Sequence, residues 1–174
     1  MSRITFLFRN REAQLNVLLA HLIPILKRQQ IEFQIFVINQ AGQDSFSRAR
    51  LMNSGFSFVR DNYHGIYPAY PELWILISDV DCFIFHDVDL LLETELGIYK
   101  CSNQYPRHLS SSIDKYNYAV PWSGITGGVM AFTQDQFEKV NGFSNEYWGW
   151  GCEDDDMYVR IVDTCLQLEQ GILL

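Results

Sequence analysis

The sequence predicts an α/β fold: a mostly parallel sheet flanked by helices. Three observations predict it. Residues 3–8 and 31–39 are short apolar runs rich in Ile, Phe, Leu and Val, the pattern of buried strands. Between them Leu15, Leu18, Leu19, Leu22, Ile25 and Leu26 recur at helical spacing and give one apolar stripe. A second helix begins over residues 46–52. Strand, helix, strand, helix in that order closes a parallel sheet through right-handed crossovers.

Length and composition bound the rest. With 174 residues, 48% hydrophobic and 14% aromatic, the chain is long enough for one domain with a sizeable core. A net charge of −8 argues against general nucleic-acid binding and leaves no polybasic membrane patch. No apolar run has the length of a membrane span, no signal peptide is visible at Met1, and repeats are absent. Four cysteines fit either an oxidising compartment or buried thiols.

Along the chain, Arg9-Asn10-Arg11 closes the first strand, and Asn10 is placed to cap the helix that follows. Residues 40–44 form a turn after the second strand. Arg9, Arg11 and Arg48 then lie just beyond strand ends, where open α/β sheets bind ligands and where Arg can pair with a pyrophosphate. Solvated surface arginines explain them equally well. Gly, Pro and Tyr make residues 61–71 a loop, and residues 74–85 hold a strand that ends at His86. Asp87-Val88-Asp89 follows. Extended alternation puts both carboxylates on one side and His86 on the other. Two carboxylates at a strand end can seat Mg²⁺ or Mn²⁺ beside a diphosphate. The pattern is weak alone, since Asp79-Val80-Asp81 repeats it; the strand leading into Asp87 and Asp89 favours the second copy. Residues 99–118 are polar and irregular. Gly124-Ile125-Thr126-Gly127-Gly128 is a tight turn without the Lys of a phosphate loop, and it leads into the apolar residues 129–132. Thr133 caps a short helix that runs through Val140 and ends at Asn141-Gly142.

The least ordinary stretch is Tyr147-Trp148-Gly149-Trp150-Gly151-Cys152-Glu153-Asp154-Asp155-Asp156. Met157, Ile161, Cys165 and Leu168 have helical spacing, so a helix starts near Asp154, and acidic residues suit its free N–H groups. A helix start accounts for the acids alone. The Trp–Gly loop before them adds more: aromatic faces on a hinged backbone make a lid or a sugar-stacking surface, and carboxylates beside it bind hydroxyls or take a proton.

These residues resemble the β1,4-galactosyltransferase family, including its N-acetylgalactosaminyltransferase relatives. The resemblance is carried by Phe85-His86-Asp87-Val88-Asp89-Leu90 and by the block from Asn141-Gly142-Phe143 through Trp148-Gly149-Trp150-Gly151-Cys152-Glu153-Asp154-Asp155-Asp156. Phe8-Arg9-Asn10-Arg11, Val37-Ile38-Asn39-Gln40-Ala41-Gly42, Pro106-Arg107-His108 and Gly127-Gly128-Val129 agree in order. The resemblance implies a GT-A-like, Rossmann-like fold and an inverting transfer from UDP-Gal or UDP-GalNAc to the 4-hydroxyl of an acceptor ending in GlcNAc. It makes Asp154 the general base, with Glu153 beside it in the catalytic pair. It gives the acceptor to Cys152, Glu153, Asp154 and Asp155, and the donor to Leu7, Phe8, Arg9, Asn10, Arg11, Phe46, Arg48, Asp87, Val88, Ile125, Gly128 and Trp150. Asp89 would be the Mn²⁺ ligand, and Cys82 would pair with Cys101 while Cys152 and Cys165 stay reduced.

Departures qualify this. Leu7 stands where the family usually has Pro, Cys152 where it has Gly, and Thr126 where it has Phe; residues 62–74 read as an insertion. Ile125 stands where galactose-specific relatives carry Tyr and GalNAc-transferring relatives a smaller aliphatic residue, which leaves room for an N-acetyl group. The chain ends at Leu174, before the Met and His that complete the family's Mn²⁺ site, and it has no anchor or stem. Residues 1–174 therefore read as one incomplete catalytic domain of a Golgi-lumenal enzyme, with a type II membrane anchor expected only at full length. The competing function is a catalytically inactive module that binds nucleotide-sugar or glycan. A structural surface protein is a weaker third, because it leaves both acidic sites unexplained.

Overall fold

The computed structural model describes residues 1–62, 82–93 and 99–170. They form β1 (Ser2–Phe8), α1 (Glu12–Arg28), β2 (Phe33–Asn39), α2 (Arg48–Asn62), β3 (Cys82–Asp87), β4 (Arg107–His108), β5 (Val129–Thr133), α3 (Gln134–Lys139), α4 (Glu153–Asp163) and β6 (Glu169–Gln170), with a 3-10 turn at Asp114–Tyr116. The strands make one sheet in the order β2-β1-β3-β5-β4-β6. β1 runs parallel to β2 and β3, as the strand–helix alternation requires. β5 is antiparallel to β3 and β4, and β4 is parallel to β6, so the sheet is mixed beyond β3.

Each face of the sheet is covered by helix. Side chains alternate along β1 and β3. Ile4, Phe6 and Ile84 meet Leu18, Leu22 and Leu26 of α1 on one face. Leu7, Phe83 and Phe85 meet Met52, Phe56 and Val59 of α2 on the other, together with Phe137 of α3 and Met157 and Ile161 of α4. β2 and β3 lie on opposite sides of β1, so the strand order reverses there. Leu7 is in register with Asp87, which brings the C-terminal ends of β1 and β3 together at that switch point.

Local chemistry explains where the elements begin and end. Thr133 caps α3 as expected and forms a full capping box with Gln136. Asn10 does not cap α1: it takes a left-handed turn at φ 53°, and the helix starts two residues later without a side-chain cap. β2 starts at Phe33 rather than at Ile31, because Ile31 closes α1. Gln30 is left-handed, and the Ile31 and Gln30 N–H groups donate to Leu26 and Lys27 carbonyls. Cys165 closes α4 the same way at φ 58°, with Leu166 N–H on Ile161 and Cys165 N–H on Val162. Helical spacing therefore stops before Cys165 and Leu168. α2 begins at Arg48, where the Ser47 hydroxyl accepts from Arg50 N–H, and it continues through the first two residues of the expected loop. The remainder of that loop, most of the expected 74–85 strand and the Asp79/Asp81 pair lie outside the described residues.

Cys82 and Cys101 form a disulfide, while Cys152 and Cys165 are free and exposed. The bridge ties the start of β3 to the segment that follows the Asp89 turn. Non-reducing peptide mapping should recover Cys82 and Cys101 in one linked peptide. For a separation of 19 residues, replacing both by Ser should cost about 3 kcal/mol through a looser unfolded chain, read as a lower denaturation midpoint.

Candidate active site

Four elements meet at Arg48, the first residue of α2. Its Nε donates to Asp87 Oδ1 at the end of β3 at 2.8 Å, and its Nη1 donates to Asp154 Oδ1 in the first turn of α4. Glu153 Oε1 lies 3.8 Å from the same Nη1, and Nη2 donates to the Gly128 carbonyl at 3.3 Å. The side chain is only 9% exposed. Burial opposes its charge, but Asp87, Asp154 and Glu153 together outweigh that cost and hold the proton more tightly than usual.

The helix separates the four consecutive acids, because successive residues point about 100° apart. Glu153 is buried near Arg48, Asp154 is partly buried against it, and Asp155 is exposed. Asp156 pairs with Arg160 one turn on, at 2.5 Å. Cys152, the residue before the helix, is left-handed at φ 70°, the conformation that favours the Gly usual at this position. Burial pushes the Asp154 carboxyl up from 3.8 to about 6; Arg48 pulls it down, and Glu153 and Asp87 push it further up. A carboxyl near that value can both lose and accept a proton at neutral pH.

The Gly-rich turn shapes the other side of Asp154. A Cβ on Gly127 would stand 2.9 Å from Asp154 Oδ2, so only Gly lets the carboxylate approach. Thr126 donates its hydroxyl to the Asp154 carbonyl. His108 Nε2 and the Ser110 hydroxyl both bond the Gly127 carbonyl, at 2.7 and 3.0 Å, and Val129 N–H donates to Ser110. His108 is fully buried, and burial lowers its proton affinity to about 4, so it donates as a neutral ring.

The aromatic loop is fastened to α2. Ser47 donates to the Tyr147 carbonyl and Gly149 N–H to that of Phe46, at 2.9 and 2.7 Å. The Arg50 guanidinium lies 4.2 Å over the Trp148 ring and bonds the Asn145 carbonyl. Asn53 bonds both main-chain groups of Phe143. Trp150 is left outside these ties. It is 97% exposed, between Gly149 at φ 83° and Gly151 at φ 103°.

The residues expected to meet the donor line the ends of β1 and β3. Arg9 lies 5.4 Å over Phe46 and bonds the Asp44 carbonyl, and Arg11 pairs with Asp89 at 2.8 Å. Asn10 is exposed beside them. Phe8 is half-buried at the strand end, and the side chains of Leu7 and Val88 are buried in the core. Asp87 and Asp89 do not share one face as an extended segment would place them. β3 stops at Asp87, a turn closes with Leu90 N–H on the Asp87 carbonyl, and the two carboxylates face different arginines. His86 turns away into the α1-side core, as alternation requires. Burial lowers it to about 4, and it bonds the Tyr99 hydroxyl at 2.7 Å.

Among the described residues no three His, Cys, Asp or Glu side chains converge on a metal position. Asp89, 54% exposed at the rim, offers a hard oxygen donor of the kind Mg²⁺ and Mn²⁺ take, and so fits one flank of such a site. Sequence reasoning passed over Ser47, Arg50, Asn53 and Ser110, and gave His108 a place in a motif block but no role. The first three recur every third residue, from Ser47 just before α2 to Asn53 within it, and that polar spacing was the available signal.

The chain matches known proteins along most of its length. The family described as the N-terminal region of glycosyl transferase group 7 matches residues 2–102, and that described as the N-terminal domain of galactosyltransferase matches residues 107–171. The chain is 44% identical over 154 residues to β-1,4-galactosyltransferase 1 of Bos taurus, covering 88% of this chain and 34% of that one. It is 46% identical over 153 residues to β-1,4-galactosyltransferase 4 of Homo sapiens, covering 88% and 40%. The chain thus spans little more than a third of these relatives' length. Among solved structures, the catalytic domain of Drosophila β1,4-galactosyltransferase 7 with xylobiose superposes at a TM-score of 0.81 and 34% identity, covering 99% of this chain and 65% of that one. A mutant of the same enzyme with manganese, UDP-Gal and xylobiose superposes at 0.78 and 32% identity, covering 100% and 66%.

The raised Asp154 proton affinity has a stability consequence. Its folded-state value exceeds the ordinary 3.8, so its contribution is full below about pH 4 and lost as pH rises through about 6. At pH 7.5 the ionised carboxylate is therefore a net liability. Asp154→Asn should melt no lower than the unmodified protein at that pH, despite losing an ion pair; a fall of several degrees would contradict it.

Proposed function

The chain belongs to the group 7 glycosyltransferase family and carries its GT-A-type α/β fold, and from that premise we propose that it forms the core of an inverting transferase. The enzyme moves galactose or N-acetylgalactosamine from a UDP-sugar to the 4-hydroxyl of a terminal GlcNAc-type acceptor. One observation carries the reading: Arg48 holds a carboxyl that titrates near neutrality, Asp154, beside the carboxylate end of β3. A base for an acceptor hydroxyl and a seat for a sugar nucleotide are thereby neighbours. The Drosophila relative crystallised with manganese, UDP-Gal and xylobiose supports the same substrate classes.

In this mechanism Asp154 takes the proton of the acceptor hydroxyl as its oxygen attacks the anomeric carbon. The bond to UDP breaks on the opposite face, and the configuration inverts in a single displacement. Glu153 and Asp155 hold sugar hydroxyls, and Cys152 contacts the acceptor from the turn before them. Trp150 covers the donor sugar and excludes water. Arg9, Arg11 and the backbone around Phe8 and Asn10 hold the UDP, with Phe46 beside them. Asp89 would hold Mn²⁺, which would supply positive charge to the leaving diphosphate. The Cys82–Cys101 bridge suits an oxidising lumen, and we place the full-length enzyme in the Golgi, behind a membrane anchor. Among the described residues, no helix is long and apolar enough to cross a membrane.

The test is transfer from a UDP-sugar with Mn²⁺ by the enzyme that carries this sequence. Asp154→Asn should reduce turnover about 10²-fold or more with little change in donor binding. The acid limb of kcat/KM should lie near pH 6, since Asp154 is protonated and useless as a base below that value. Near-normal turnover would move the role to Glu153 or Asp155.

Donor choice is read from Ile125, half-buried in the turn two residues before Gly127. A Tyr there would crowd the substituent at C2 of the sugar, whereas Ile leaves space and apolar contact for an N-acetyl group. UDP-GalNAc should be used at least as readily as UDP-Gal in direct competition. Ile125→Tyr should shift preference toward UDP-Gal by about 1–3 kcal/mol, roughly tenfold to a hundredfold. A strong preference of the unmodified enzyme for UDP-Gal would sink this assignment.

A further inference from the structure

The Gly-rich turn from Ser123 to Gly127 lies on the first turn of α4, and one buried hydroxyl joins the two. We propose that Thr126 is a positioning residue for donor choice: its bond to the main chain of α4 fixes Ile125 in place, so that Ile125 can discriminate at C2 of the donor sugar. The proposal rests on the reading of Ile125 as the donor-choice residue.

The turn is tied down residue by residue. The Ser123 carbonyl accepts from Gln170 Nε2 at 2.9 Å. Gly124 lies against the Tyr158 ring of α4, where a Cβ would stand 2.8 Å from Tyr158 Cδ1. Thr126 is fully buried and donates its hydroxyl to the Asp154 carbonyl. Gly127 leaves room for the Asp154 carboxylate, and its own carbonyl is held by His108 and Ser110. Ile125 sits between these ties, half-buried, with its N–H on the Trp122 carbonyl at 3.3 Å. Both of its neighbours in the chain touch α4, so its backbone has little freedom to shift.

Contact at a glycine can slide, whereas a hydrogen bond has direction. The Asp154 carbonyl lies in the first turn of α4, where the helix pattern gives it the N–H four residues on, that of Tyr158. Thr126 takes its second lone pair. At 0% exposure no solvent competes for that bond. The Phe usual at this position has no hydroxyl to give, so the tie belongs to this chain. Discrimination of a single substituent needs a wall that does not yield, since a side chain placed about 1 Å too loosely admits either sugar. Thr126 supplies that stiffness from a helix rather than from the turn itself.

The experiment is a double-mutant cycle on donor competition, run on the enzyme that carries this sequence. Ile125→Tyr alone should shift preference from UDP-GalNAc toward UDP-Gal about tenfold or more. Thr126→Val keeps the shape and removes the hydroxyl. In that background Ile125→Tyr should shift preference about threefold or less, because a loosened turn lets the Tyr step aside. Thr126→Ser keeps the hydroxyl and should restore the full shift. Gly124→Ala forces a Cβ into the Tyr158 ring and leaves the hydroxyl in place; it should shrink the shift as Val does, and it serves where Thr126→Val does not fold. Hydrogen exchange adds a readout without turnover: Thr126→Val should speed exchange about tenfold over residues 123–128 and leave α1 unchanged. A full tenfold shift in the Thr126→Val background, a Ser variant that behaves as Val does, or unaltered exchange overturns the proposal. If Ile125→Tyr shifts nothing in the unmodified enzyme while Thr126→Val still speeds exchange, the donor reading of Ile125 falls and takes the specificity role with it, and only the tie remains.

Discussion

A buried guanidinium ringed by carboxylates is the constraint on which the rest of this structure depends. Taking Arg48 out of water is expensive, and only close, hydrogen-bonded partners offset it. Those partners come from far apart in the chain: Asp87 from β3, Glu153 and Asp154 from α4, and a carbonyl from the Gly-rich turn. Removing Arg48 itself would typically cost about 3–5 kcal/mol, because the carboxylates around it would lose their one counter-charge. The segments that carry the site are therefore bound together by the same interaction that shapes its chemistry. Burial first, and then the excess of carboxylates over cations, raises the Asp154 proton affinity, as the proposed base requires.

Rigidity is unevenly distributed around that centre. Ser47, just before α2, with Arg50 and Asn53 on it, fixes the loop from Phe143 to Gly149 by main-chain bonds and a cation–π contact. The freedom left in the loop is concentrated at Trp150, between two glycines with positive φ. A large aromatic face on a short hinge, set on a fixed platform, can cover a ligand without disturbing the carboxylates one turn away. His108 and Ser110 play the matching part beneath the Gly-rich turn, so the wall that faces Asp154 is held from below.

The β3 end is braced on its other face as well. His86 and Tyr99 form a buried, stacked pair against Phe6, and the Cys82–Cys101 bridge joins the segment containing Tyr99 to the start of the strand. Asp87 therefore projects from a strand fixed on both faces. Asp89, two residues on in the turn, remains at the rim with Arg11, where solvent and a diphosphate can reach it. In the proposed mechanism the chemistry divides accordingly, with proton transfer at the buried end and nucleotide charge at the exposed one.

The sequence by itself determined the parallel half of the sheet, the amphipathic α1, the cap at Thr133 and the acidic helix start, because these follow from periodicity and from contacts between near neighbours. It also carried the order of the motif blocks and, through the family resemblance, the cysteine pair that the structure joins. Asn10, Cys165 and the Asp87/Asp89 alternation were misread, because a single left-handed residue or a turn ends a periodic pattern without changing its composition. Only the tertiary structure decided that Arg48 is buried among carboxylates, which oxygen of Asp154 it holds, and that His108 and Asn53 support the site. Those relations join residues about 20 to 100 positions apart. Side-chain burial and charge pairing at such separations depend on how the sheet brings its strand ends together, which no local pattern records.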